Sequence, residues 1–200
     1  DLILTLEADI TLIKNRKNHL QRSNRQGGDS LMENYKFFND PYKFSGKHAR
    51  MVSELWSLND YEHSYFKRLI DIYIVAAILG FRIDRKAKRD YAPVEQRTVF
   101  GEQMRQASED LEFILQMMLL LEPAGQGIHE ECIRRAFKGV ETEEEFKRYN
   151  ELFESYMLGG VEELYERLVL QKEEIDTDYS DDKTANLMML FERFAPKKTS

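Results

Sequence analysis

Residues Ile70–Phe81, IDIYIVAAILGF, decide how the chain folds. Ile70, Ile72, Ile74, Val75 and Ile78 are β-branched, and such a run suits a buried strand. Its length and its flanks suit a helix better. Upstream, Asn59 opens NDYE, a capping-box pattern with Glu62 three positions after the cap. Downstream, Gly80 is a good stop, because glycine adopts the left-handed conformation that closes a last turn. The expectation is a buried core helix over about Asp60–Leu79. Asp71 interrupts the apolar run, which is also far shorter than the ~20 residues needed to cross a bilayer.

Working outward, the other segments read as helices as well. NDPYKFSGKH, broken at Asp40-Pro41, is a loop that offers Ser45 as the N-cap of a helix over about Gly46–Ser57. After the basic segment FRIDRKAKRD, a long helix is expected from about Thr98 to Glu122, ended by EPAGQG. A short helix follows over about Ile128–Phe137. Thr142 and Glu145 form a second capping box, which launches a helix to about Leu158. Gly159-Gly160 is expected to interrupt it, with VEELYERLVLQ continuing as a further helix. Past the acidic loop KEEIDTDYSDD, a last helix spans about Lys183–Phe194. No pair of alternating strands joined by a turn is visible, and no helix-length period repeats. The predicted fold is all-α, a compact bundle of about six or seven helices with a separate N-terminal amphipathic helix.

That N-terminal helix occupies residues 1–20. Ile3, Leu6, Ile10, Ile13 and Leu20 fall at heptad a and d positions, with Lys17 at an a position where a charge weakens the seam but helps set register. The seam fits a coiled coil with a partner or a second copy, or an amphipathic helix docked on its own domain. Residues 21–31 have the polar, glycine-containing composition of a linker. The main domain is then 32–195, and 196–200 is a frayed tail.

Composition narrows the class. Of 200 residues, 42% are hydrophobic and 32% charged, with a net charge of −7, which describes a folded, soluble domain. One cysteine, Cys132, excludes an internal disulfide framework and fits a reducing compartment. With no segment arranged as a signal peptide, a cytoplasmic protein is expected.

The usual marks of helical enzymes are missing. The histidines are His19, His48, His63 and His129, and no two stand in the H-E-x-x-H spacing of a zincin. HEEC places His129 and Cys132 on one helix face, two ligands where a zinc site wants three or four. Di-iron bundles need paired Glu-x-x-His motifs, and only Asp60-x-x-His63 comes near. There is no Walker loop, dinucleotide fingerprint or nucleophile elbow. Asp176, Asp178, Ser180 and Asp182 copy the first four positions of a calcium loop, but Asp181 and Leu187 stand where glycine and glutamate are required. Neither cofactor nor metal nor catalytic residue is expected, although His63 with Asp60 or His129 with Cys132 would be the candidates if a helical enzyme site existed.

The positive signals are surfaces. From Glu141 to Lys183 the chain carries fifteen acidic and five basic residues. By contrast Arg82, Arg85, Lys86, Lys88 and Arg89 crowd into one segment, fit for phosphates or an acidic partner. The opposite reading is a helix C-terminus rich in cations that complement its dipole. ENYKFFNDPYKF concentrates Tyr35, Phe37, Phe38, Tyr42 and Phe44, which either cap a helical core or present an anchor to a partner. The Met- and Leu-rich runs FILQMMLLLE and NLMMLF read as core.

KFSGKHARMVSELW, FKRLIDIYIVAAILGFRIDRKAKRD and FESYMLGGVEELYERLV together resemble small all-helical accessory proteins encoded in bacterial defence operons beside large ATPases or nucleases that act on foreign or modified DNA. The similarity spans about Tyr35–Phe194 and rests on apolar and glycine positions, without a catalytic motif. It implies a non-catalytic subunit that bridges or regulates a DNA-acting assembly, and transfers no functional residue. The expected function is therefore a non-enzymatic accessory or interaction subunit, associating through Ile3, Leu6, Ile10, Ile13 and Leu20. A nucleic-acid-contacting module using Arg82–Arg89 is the alternative.

Overall fold

Leu69–Arg82 is a helix, and everything else is arranged around its packing. In the computed structural model, the described residues are 35–56, 65–92, 95–121 and 129–170. In chain order they form β1 (Tyr42–Ser45), α1 (Gly46–Leu55), α2 (Leu69–Arg82), β2 (Gln96–Val99), α3 (Gly101–Gln106), α4 (Ser108–Leu121), α5 (His129–Phe137) and α6 (Glu143–Tyr165). A π-helical turn, Glu166–Leu170, continues α6. The proposed N-terminal helix and linker, the capping pattern at Asn59–Glu62, the acidic loop and the helix at Lys183–Phe194 lie outside the described residues. Among the described residues, no helix is long and apolar enough to cross a membrane.

The core forms where α2 lies along α6. Ile72, Ala76 and Ala77 of α2 and Met157 and Val161 of α6 have no exposed surface. Small residues let the two backbones nearly touch. A Cβ on Gly80 would sit 1.9 Å from the Tyr156 carbonyl oxygen, and one on Gly160 would sit 1.8 Å from that of Ala76. Such separations are impossible for a real side chain, so glycine is a condition of this crossing.

That contact corrects two expectations. Gly80 does not end α2, which runs on to Arg82. The stop is a Schellman motif in which Arg85 N–H donates to the Gly80 carbonyl and Asp84 N–H to that of Phe81. Asp84 takes the left-handed position (φ 53°) that glycine usually fills, which a short polar side chain tolerates. Nor does Gly159-Gly160 interrupt α6, which passes unbroken to Tyr165. These glycines keep helical geometry and give up their side chains to a neighbour instead.

The start of α2 also differs from expectation. Tyr65 and Phe66 donate their N–H groups to the Leu55 carbonyl, and the Trp56 indole donates to the Lys67 carbonyl at 3.0 Å, so this stretch is irregular. The helix begins at Leu69, with Arg68 paired to Asp71 across the first turn.

The fold is mostly helical but not all-α. β1 and β2 pair antiparallel, Tyr42 with Val99 through Ser45 with Gln96. Phe44 and Val99 turn into the core. Thr98, expected to begin a long helix, is therefore in a strand. The helical part is divided at Ala107 into α3 and α4, with no glycine or proline to mark the break. Thr142 is the N-cap, its Oγ1 accepting from Glu145 N–H at 3.1 Å, but the return bond of the capping box is shifted by one residue: the Glu145 carboxylate accepts from Glu141 N–H at 3.0 Å.

Candidate functional site

The Schellman turn sends residues 83–90 back across α6, and this crossing gathers the most charge among the described residues. Ala87 N–H donates to the Ser155 carbonyl at 2.9 Å. The chain passes so close that a Cβ on Gly159 would lie 2.0 Å from the Arg85 carbonyl oxygen. The Arg85 guanidinium consequently meets Glu166 at 2.6 Å, Glu163 at 2.8 Å and Glu162 at 3.2 Å. Arg167 shares Glu163 at 3.1 Å. Hydrogen bonds to Glu166 above all, and then to Glu163 and Glu162, raise Arg85 above its ordinary pKa in spite of partial burial. The Arg85 hydrogen bond in turn holds the Glu166 carboxyl below the usual range.

α1 closes the cluster from the other side. Lys47 pairs with Glu162 at 2.7 Å, and the His48 Nε2 lies 3.2 Å from the same carboxylate oxygen. Burial raises the Glu162 carboxyl, but the hydrogen bonds and charges of Lys47 and His48 outweigh it and leave the pKa lowered. His48 is 1% exposed, and its Nδ1 has no hydrogen-bond partner. Burial pushes the imidazole below its ordinary value of 6.5. A neutral ring donating from Nε2 to Glu162 satisfies this geometry.

The start of α1 is held from outside the helix. Ser45 precedes it, as expected, but its hydroxyl donates to the Asp90 carbonyl oxygen and caps nothing. Asp90 supplies the cap instead, accepting from Lys47 N–H at 2.8 Å and from Ala92 N–H at 3.0 Å. These two bonds lower its carboxyl pKa. Gly46, at φ 56°, has no room for a side chain, since a Cβ would meet the Asp90 carboxylate at 2.2 Å.

The remaining cations of the segment are distributed unequally. Arg89 pairs with Glu154 at 3.1 Å, donates to the Lys43 carbonyl at 2.6 Å and lies 5.2 Å above the Tyr42 ring. The Tyr42 hydroxyl donates to Glu154 at 2.7 Å, and burial drives its pKa far upward. Lys86 sits 4.5 Å over the Tyr156 ring. Arg82, Lys86 and Lys88 are exposed. The structure thus brings Arg85 and Arg89 onto the acidic helix and leaves the other three at the surface.

Other residues singled out in the sequence are scattered. Ile3, Leu6, Ile10, Ile13 and Leu20, the pair Asp60 and His63, and Asp176–Asp182 lie outside the described residues. Cys132 is buried, and its Sγ accepts from the Arg135 guanidinium at 3.4 Å. Among the described residues, no three His, Cys, Asp or Glu side chains converge to hold a metal. Of the N-terminal aromatics, Phe37 and Tyr35 pack tilted against Phe146 with ring centroids 4.7 and 5.4 Å apart, and Phe38 packs tilted against Phe153 at 4.7 Å. They cover the end of the core.

Sequence reading missed His48, Glu162, Glu163 and Glu166 as members of one cluster. The signal was present in part, since Glu162 and Glu166 share a helix face at i, i+4. Their partner, on a segment remote in sequence, was not deducible. Comparison with protein-family models, with curated proteins and with solved structures finds no match to this chain.

Proposed function

We propose that the chain is a non-enzymatic accessory subunit, an interaction component of a larger bacterial assembly, with a defence complex acting on DNA as its setting. The observation that carries this reading is the use made of charge at the crossing of residues 83–90 over α6. Arg85, Arg167, Lys47 and three glutamates neutralise one another and fasten three elements together. A catalytic acid or base must reach a substrate atom, whereas His48 is closed in on every side. This is the charge pattern of a framework.

In this reading the partner is taken by the N-terminal seam Ile3, Leu6, Ile10, Ile13 and Leu20. Ile10→Asp places a charge in that seam and is expected to abolish association, measured by native co-purification from the source cell, while circular dichroism stays unchanged. Association that survives the substitution removes the seam from the proposal. Recovery of the unmodified protein free of any partner removes the subunit reading itself.

A second reading, contact with nucleic acid, draws on the exposed Arg82, Lys86 and Lys88. Arg85 and Arg89 are committed to glutamates, which limits the phosphates this segment can neutralise and ranks the reading second. It requires affinity for DNA that falls steeply with salt; a flat salt dependence rejects it.

A further inference from the structure

We infer that a recess bounded by α4, α5, α6 and residues 35–37 is a binding site for a small aromatic carboxylate, with the carboxyl group held at Arg135. The recess has a volume of about 230 Å³, and its walls include Tyr35, Phe37, Leu119, Arg135 and Tyr149, with Lys36 at its edge. It adjoins a second hollow that shares Leu119, Arg135 and Tyr149 and adds Arg148, Glu151 and Leu152.

The decisive feature is that Arg135 has no oxygen partner among the described residues. Arg85, Arg89 and Arg167 have side chains 28%, 29% and 29% exposed, and each is matched by a carboxylate; Arg97, also half-buried, donates to the Gln96 carbonyl at 3.0 Å. Arg135 is also half-buried, yet no carboxylate among the described residues pairs with it. Its Nε, like that of Arg89, is fully covered without a hydrogen-bond partner. Its Nη2 donates only to the Cys132 sulfur at 3.4 Å, a weak acceptor. A guanidinium partly withdrawn from water without an anion is costly to the fold, and an anion entering the recess would offset that cost at its terminal nitrogens, since the covered Nε is out of reach.

Three properties narrow the ligand. A planar carboxylate with two oxygens matches the guanidinium fork better than a spherical anion does. The site suits a single negative charge, because Lys36 is exposed and Glu112, already engaged by a partner of its own, stands in the same wall. The body should be a ring: a cavity of about 150 Å³ holds benzene, so this one has room for a ring and one carboxyl group against three aromatic walls. The recess is lined by none of residues 83–90, and the inference does not rest on the subunit proposal.

The test uses the full chain, labelled with ¹⁵N, titrated with phenylacetate, with its neutral isostere phenylacetamide and with inorganic phosphate. Phenylacetate is expected to shift the amide resonances of Leu119, Arg135 and Gly139 saturably, and phenylacetamide to bind at least tenfold more weakly. Arg135→Gln is expected to weaken phenylacetate at least tenfold with the circular dichroism unchanged. Should that variant not fold, Arg135→Lys, which keeps the charge and loses the fork, is expected to weaken binding at least threefold. The proposal is overturned by an absence of saturable shifts, by equal binding of phenylacetamide or phosphate, or by unaltered affinity in the substituted proteins.

Discussion

Arg85 makes the most ion pairs between α6 and the segment following α2, and its removal has a calculable consequence. Arg85→Gln takes an arginine partner from Glu163, 7% exposed in its side chain, and removes the guanidinium that Glu162 and Glu166 share. Breaking a buried pair costs on the order of 3–5 kcal/mol. Because Glu166 is 44% exposed and water screens that arm of the cluster, about 2 kcal/mol is expected here, read as a lower urea midpoint with unchanged slope. His48 gives a second residue-level expectation, and its sign follows from burial. The folded imidazole titrates below its ordinary 6.5, so the unfolded chain binds the proton first. Stability is then full above pH 6.5 and declines as the pH falls below that value. His48→Gln should flatten this part of the pH–stability curve, above the range in which Glu162, Glu166 and Asp90 lose their charge. An unchanged slope would mean that His48 takes up its proton as readily in the fold as in the unfolded chain. Arg85 stood out in the sequence as one of a basic run and His48 did not, but the glutamates they meet are brought to them only by the crossing.

At the scale of elements, the crossing of α2 and α6 makes a sharper demand. Alanine is ordinarily a better helix residue than glycine by about 1 kcal/mol, so Gly160→Ala should stabilise an isolated α6. In the protein the new Cβ would lie 1.8 Å from the Ala76 carbonyl oxygen, and the helices must part. A net loss of about 2 kcal/mol is expected in thermal or urea unfolding, within the range for overpacking. Gly101→Ala is the control, since its Cβ would meet nothing closer than the Arg105 guanidinium end at 3.2 Å. A Gly160→Ala variant as stable as the control would show that the helices do not approach as described. The same crossing explains where element boundaries were legible. The Thr142 start of α6 agrees with the sequence because capping chemistry is local, and α5 agrees with it in extent. Gly80 and Gly159-Gly160 were misplaced because glycine as a stop and glycine as a contact look alike until the opposing backbone is known. The N-terminal end of α2 was misplaced for a related reason: Tyr65 and Phe66 bond to Leu55 rather than continuing a helix.

Across the whole molecule, helical class and core were legible, because the apolar content of Ile70–Phe81 and its length leave few other solutions. The unequal distribution of charge was legible too, but its meaning was not, since sequence shows the acidic and basic runs without their spatial relation. The ribbon of β1 and β2 was invisible for a different reason. Each strand has four residues, carries a lysine or arginine, and finds its partner far away rather than across a turn. That separation bears on how the protein reaches its native state. Some fifty residues, including all of α1 and α2, must be in place before Ser45 can meet Gln96, and closing so long a loop is an entropic cost met before the pairing returns anything. The rate-limiting barrier should therefore be crossed with α2 and α6 in contact and the two strands still apart. Thr98→Gly, which weakens the ribbon, is expected to steepen nothing in the refolding limb of a chevron plot and to raise the unfolding rate severalfold. A proportionate slowing of refolding would instead place the ribbon in the nucleus. With the strands joining last, this small sheet governs how long the native state survives and has little influence on how quickly it forms.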